Sequence, residues 1–150
     1  MKILVHSEAE MAALGQEIGL LLHGGECIEL VGDVGAGKTT LTKSIARALG
    51  INAPIQSPTF TICNRYQASN GRTLAHYDFY RLNEAGLMKE ELGETLDDET
   101  TITIIEWGDI VADVLGPERI TISILSTGET DRELTITARG ALASFEERLT

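Results

Sequence analysis

Apolar residues recur at three- and four-residue intervals in two early stretches and form short runs or alternations elsewhere. Lys2–Val5 reads as a short strand. Met11, Leu14, Ile18, Leu21 and Leu22 fall on one helical face; Ser7 with Glu10 three residues on makes a capping box, and Gly24-Gly25 stop the helix. Cys27–Val31 is an apolar run that ends at Gly32, the pattern of a buried strand. A second helix is predicted over 38–49, with Leu41, Ile45, Ala48 and Leu49 inward and Gly50 closing it. Segments 59–67 and 72–80 are rich in β-branched and aromatic residues and flank Ser69-Asn70-Gly71, a hairpin turn signal. Residues 83–99 read as acidic and irregular or briefly helical. The clearest buried strand is 101–107; Gly116-Pro117 break a helix-like stretch; 119–125 and 133–137 pair around Gly128; and 140–149 reads as a closing helix. Early alternation of strands and helices, with later β-hairpins, predicts an α/β three-layer sandwich with a mixed sheet.

A length of 150 residues predicts one domain spanning 1–150. The net charge of -11 is unevenly placed. Residues 1–82 carry 7 basic and 7 acidic side chains, whereas 83–150 carry 5 basic and 16 acidic. No half is basic, which argues against unaided binding of RNA or DNA, because gripping phosphates takes clustered Lys and Arg. No apolar run approaches the ~20 residues of a membrane helix, and the N-terminus lacks a signal-peptide core. Cys27 and Cys63 are too few for a disulfide scaffold and lack metal-ligand spacing; both lie in strand-like runs and read as buried thiols in a reducing cytoplasm.

One motif carries chemistry directly. Gly32-Asp33-Val34-Gly35-Ala36-Gly37-Lys38-Thr39 matches G-x-x-x-x-G-K-[ST] at every required position, after an apolar strand and before an amphipathic helix. Glycines let successive backbone N–H groups turn toward phosphate oxygens, and the helix N-terminus adds positive potential. The fold expected is therefore of the P-loop NTPase type. Residues 33–40 (Asp33, Val34, Gly35, Ala36, Gly37, Lys38, Thr39 and Thr40) are the expected nucleotide cradle for ATP. Lys38 serves the β- and γ-phosphates and the Thr39 hydroxyl serves Mg²⁺.

Such a loop needs a carboxylate at the end of a neighbouring strand. Glu106 closes the apolar run 102–105, and its extra methylene relative to Asp suits a water-mediated or a direct metal contact. Asp78 sits late in His76-Tyr77-Asp78-Phe79-Tyr80-Arg81. Lys38, Asp78 and Glu106 are the candidate catalytic set, with Thr39 and Glu106 on the metal side. The pattern leaves open which acid holds the metal and which orients water. Arg81 serves a transferring phosphate or pairs with an acid; His76 is a structural or a site histidine; Trp107 is core or a wall of the nucleotide site. The hydroxyls of Ser57 and Thr59, in Ser57-Pro58-Thr59-Phe60, suit a γ-phosphate-sensing switch.

There is no N-K-x-D element for guanine, which favours ATP. The 8 arginines are scattered and little length remains for a kinase lid. A small-molecule P-loop kinase is therefore the alternative, and a compact ATPase the leading reading. GDVGAGKTT (32–40), SPTF (57–60), HYDFYR (76–81) and IIEW (104–107), in this order, resemble the TsaE (YjeE) family of bacterial P-loop ATPases over about residues 5–125. The resemblance implies a cytoplasmic ATPase that supports threonylcarbamoylation of the adenosine beside the tRNA anticodon. It implies action on the TsaB–TsaD complex and contact with tRNA only through that complex. By the same resemblance Asp78 and Glu106 are the essential acids, Ser57–Phe60 and His76–Arg81 the two switch segments, and Trp107 the aromatic that follows the acid. The family often continues this motif with Pro-Glu, where Gly108-Asp109 stand here. The seven acids of 84–99, against Lys89 alone, form a solvated surface or a docking face for a basic partner patch.

Overall fold

The structure is a computed structural model that describes residues 1–149 except 57, 59–61, 81 and 83–85. Its elements in chain order begin with β1 (Lys2–Val5), α1 (Glu8–Leu21), β2 (Cys27–Val31) and α2 (Lys38–Ala48). β3 (Cys63–Gln67) and β4 (Thr73–Asp78) form the first hairpin, and α3 (Met88–Asp97) leads to β5 (Thr101–Glu106). α4 (Ala112–Leu115), β6 (Ile120–Ser126), β7 (Arg132–Ala138) and α5 (Phe145–Arg148) complete the chain.

The seven strands form one mixed sheet in the order β1-β7-β6-β2-β5-β4-β3. β6, β2, β5 and β4 run parallel at its centre, while β7, β1 and β3 are antiparallel additions at the edges. Alternation along each strand sends side chains to two cores. Ile28 and Leu30, Ile102 and Ile104, and Ile120 and Ile122 pack with Met11, Ile18, Leu41 and Ile45 on the α1–α2 face. Ala75, Tyr77, Phe79 and Ile105 pack with Leu92, Val111 and Leu115 on the α3–α4 face. Helices thus cover both faces, which gives the three-layer α/β sandwich.

α1 and α2 approach closely because small residues meet between them. A Cβ on Gly15 would lie 2.5 Å from the Ser44 Cβ, and one on Gly19 would lie 2.6 Å from the Ala48 Cβ. At the start of α1 the Ser7 hydroxyl accepts the Glu10 N–H at 3.1 Å, while the Glu10 carboxylate reaches back to the His6 N–H at 2.7 Å. The reciprocal bond of the box is therefore shifted by one residue.

Three expectations need correction. The predicted closing helix over 140–149 divides into a 3₁₀ turn, Gly140–Leu142, and the short α5, whose Phe145 is drawn into the core. The acidic segment holds a ten-residue helix, α3, anchored by Leu92 and Thr95. Cys63 is only partly buried because β3 is an edge strand; Cys27, on central β2, is buried as expected. Among the described residues no helix is long and apolar enough to cross a membrane.

Candidate functional site

The glycine-rich loop joins β2 to α2 at the carboxyl ends of the parallel strands, where open α/β sheets place their ligand crevice. Gly35 and Gly37 take φ values of 84° and 111°, a region that L side chains rarely adopt, so the backbone can turn its N–H groups inward there. A Cβ on Gly35 would meet nothing within 4 Å, so the loop faces open space. The Asp33 carbonyl accepts the Ala36 N–H at 3.0 Å and closes the turn.

Beside the loop lies a cleft of about 600 Å³, lined by Val34 through Thr40, Asp78, Tyr80, Glu106 and Trp107. Asp33 is not in its lining. Lys38 leads α2 and points back across the loop. Its ammonium donates to the Gly32 carbonyl at 2.8 Å, lies 3.6 Å from Glu106 Oε1 and sits 4.3 Å from the centre of the Trp107 ring. A cation over an indole face is attracted by the ring's electron-rich surface.

Sheet register brings the two acids together. β4 and β5 run parallel, with Asp78 opposite Glu106 and His76 opposite Ile104. Both acids therefore project toward the loop side. Glu106 is buried, and its Oε2 lies 2.6 Å from His76 Nε2. Asp78 is half-buried and accepts the Tyr80 N–H at 2.9 Å. Burial pushes its carboxyl above the ordinary carboxylate range and the nearby Glu106 adds to this, against the pull of the Tyr80 N–H. The Asp78 N–H donates to the Ile62 carbonyl at 2.8 Å, which ties this acid to the entrance of β3.

Trp107 follows directly and takes left-handed backbone angles, φ 57° and ψ 48°. This is a sparsely populated region for an aromatic residue, and it turns the chain so that the indole covers the Lys38 ammonium. Tyr80 packs against that indole in a tilted arrangement, 4.8 Å between ring centres and 48° between ring planes. The cleft wall is thus an aromatic pair, and Trp107 both lines the cleft and packs against the α3–α4 core.

Lys38, Thr39, Asp78, Glu106 and Trp107 are brought to one cleft, and His76 lies buried behind Glu106. Ser57, Thr59 and Arg81 lie outside the described residues. The amino-acid pattern did not reveal Arg132, whose Nε donates to the Ala36 carbonyl at 3.0 Å and braces the loop from β7. Nor did it reveal Glu8, which accepts the Thr40 hydroxyl at 3.4 Å, or Ser7, Met11, Glu129 and Thr130 on the cleft rim. Each is far in sequence from the loop, and no local spacing marks it.

The donor set fits a hard cation held with phosphates. Thr39, Asp78 and Glu106 offer oxygens only, which suit Mg²⁺. No group of three or more His, Cys, Asp or Glu capable of holding a metal occurs among the described residues.

The family "Threonylcarbamoyl adenosine biosynthesis protein TsaE" matches residues 5–134. The Bacillus subtilis tRNA threonylcarbamoyladenosine biosynthesis protein TsaE is 37% identical over 134 residues, covering 87% of this chain and 81% of the relative. The Treponema pallidum protein of the same description is 36% identical over 137 residues, covering 91% and 99%. Among solved structures, Bacillus subtilis YdiB superposes with a TM-score of 0.75 at 31% identity, over 99% of this chain and 93% of that one. The loop, the paired acids and the aromatic wall thus sit in a chain that belongs to the TsaE family.

Proposed function

We propose that this chain is a Mg²⁺-dependent ATPase that supports threonylcarbamoylation of tRNA by acting on the TsaB–TsaD complex. The observation that carries the nucleotide reading is the buried Lys38 ammonium, held between the Gly32 carbonyl and Glu106 at the mouth of a glycine-turned loop. The family membership supports the pathway, since the relatives are described by that biosynthesis.

The roles follow from placement. The backbone N–H groups of residues 33–40 cradle the phosphates, and Lys38 meets the charge that develops on the γ-phosphate. Thr39 and Glu106 lie on the metal side; Mg²⁺, when bound, supplies charge neutralisation at the phosphates. Asp78, on the neighbouring strand and in the cleft, orients the attacking water. Its raised pKa makes it a better proton acceptor than an ordinary surface aspartate. Tyr80 and Trp107 wall the cleft. A small domain with an acidic surface is poorly suited to hold tRNA by itself, so the RNA is left to the partners.

Reconstitution tests this reading. Purified TsaC, TsaD and TsaB are given tRNA, threonine, bicarbonate and ATP, with and without the chain. Multiple-turnover modification that requires the chain and is lost with Lys38→Ala is expected. Modification that proceeds equally without it would end the proposal, and transfer of phosphate to an added metabolite would favour a kinase instead.

A further inference from the structure

The geometry points to His76 as a positioning residue that clamps Glu106 for its work in the cleft. This rests on the ATP site proposed above and deepens it. The imidazole is 1% exposed, sits on β4 one turn of the pleat before Asp78, and meets Glu106 Oε2 through Nε2 at 2.6 Å. Its other nitrogen, Nδ1, is buried and has no hydrogen-bond partner among the described residues.

Those two facts fix the tautomer. A carboxylate only accepts, and Glu106 Oε1 faces the Lys38 ammonium at 3.6 Å. The proton between the pair is therefore on Nε2. The other neutral tautomer would set the Nε2 lone pair against the carboxylate and leave a buried Nδ1–H unpaired, which is costlier than an unpaired lone pair. His76 thus donates a ring hydrogen bond to Oε2, and among the described residues the ring makes no other.

The clamp answers a problem that the sequence itself poses. Glutamate at the end of β5 has one more rotatable bond than aspartate, and each free rotor spreads the carboxylate over more positions. With Oε2 tied to the imidazole behind it, Oε1 is left on the side of Lys38 and the cleft. A charge-assisted hydrogen bond inside the protein is strong enough to select one rotamer. His76 is buried and does not line the cleft, so it acts through Glu106.

The test compares His76→Leu, which removes the donor, with His76→Gln, whose amide can donate from a similar reach. Thermal melting establishes that each variant is folded. For His76→Leu, kcat for ATP hydrolysis should fall by about 10- to 100-fold, as when an outer partner of a site ligand is lost, with KM changed little. The Mg²⁺ concentration giving half-maximal hydrolysis should rise, ADP affinity without Mg²⁺ should hold, and His76→Gln should recover most of the loss. Independently of turnover, the histidine ring ¹⁵N spectrum of the unsubstituted protein should show a proton on His76 Nε2. A folded His76→Leu with unchanged kcat and Mg²⁺ dependence, equal losses in Leu and Gln variants, or a spectrum with no proton on Nε2 would each overturn the clamp. If the unsubstituted chain hydrolyses no ATP, the ATPase reading fails, and the nitrogen spectrum alone then decides the clamp.

Discussion

The Lys38 ammonium lies 3.6 Å from Oε1 of Glu106, and both side chains are withdrawn from solvent. In this arrangement the lysine is already aimed and only needs a phosphate oxygen to share it. Lys38→Ala should therefore cut ATP hydrolysis by on the order of 10²- to 10³-fold, the scale of losing one preorganised partner of a developing charge. Phosphate release at saturating ATP and Mg²⁺ measures this, and turnover within threefold of the parent would show that the lysine is not at the reacting phosphate.

Asp78 and Glu106 stand opposite each other on adjacent strands, and the fold tolerates this at some cost. Burial and the neighbouring carboxylate raise the Asp78 pKa, so its charged form is disfavoured in the folded chain. For such a group, stability is fullest below the unfolded pKa and declines as pH rises through the folded one. Asp78→Asn keeps the acceptor for the Tyr80 N–H and removes that penalty. It should raise the melting temperature at pH 7 while lowering ATP turnover by about 10²-fold or more, the usual scale of an acid–base contribution. Calorimetry beside phosphate release reads both, and a variant that is less stable or fully active contradicts the assigned role.

Arg132 connects the late hairpin to the phosphate loop. Its guanidinium donates to the carbonyls of Ala36, Gly128, Glu129 and Asp131. Arg132→Ala should destabilise the chain by about 1.5–3 kcal/mol, the range for hydrogen bonds made by a charged group. It should also weaken ADP binding several-fold by loosening the loop. Urea unfolding and nucleotide titration check the two effects, and a variant with unchanged ADP affinity would show that the loop keeps its shape unaided.

Gly19 marks where the residue pattern was readable and where it was not. The helical face of α1 was plain from Met11, Leu14 and Ile18, but nothing in that spacing said that Gly15 and Gly19 would be the contact with α2. Their meaning depends on Ser44 and Ala48, which the fold brings up from a distant helix. The same distinction runs through the site. The glycine loop, Asp78, Glu106 and Trp107 were legible as candidates because each is marked locally, by a turn or a strand end. Arg132 and Glu8 were not, because they reach the loop only after the sheet and helices have assembled. The helix in the acidic segment was obscured by charge: Glu91 pairs with Arg65 at 2.9 Å and Lys89 with Asp113 at 3.1 Å, so some of those acids serve internal contacts. A Cβ at Gly19 would stand 2.8 Å from the Ile45 carbonyl oxygen, backbone that cannot swing aside. Gly19→Ala should thus cost about 1–3 kcal/mol as overpacking, measured by urea unfolding. An unchanged midpoint would mean that α1 and α2 can slide apart without loss.

Cys27 gives a prediction that reports on the central strand. It is buried on β2, and burial, with the nearby Glu29 carboxylate adding to it, pushes its thiol from the ordinary 9.0 up to about 12, while Arg119 pulls it back. Thiolate is the reactive form, so in the native chain Cys27 should resist alkylation at pH 8–9. Cys63, partly exposed on β3, should react first, although burial also raises its pKa. The sign of the linkage is set by the raised value. Below pH 9 the folded and unfolded thiols are both neutral and nothing is lost. Between pH 9 and about 12 the unfolded thiol ionises while the native one does not, so the unfolded state gains and stability falls as pH rises. Cys27→Ala should flatten that alkaline decline in a urea series run from pH 8 to 11, at the cost of a small cavity at all pH values. A variant that loses stability with pH as steeply as the parent would place the alkaline titration elsewhere in the fold.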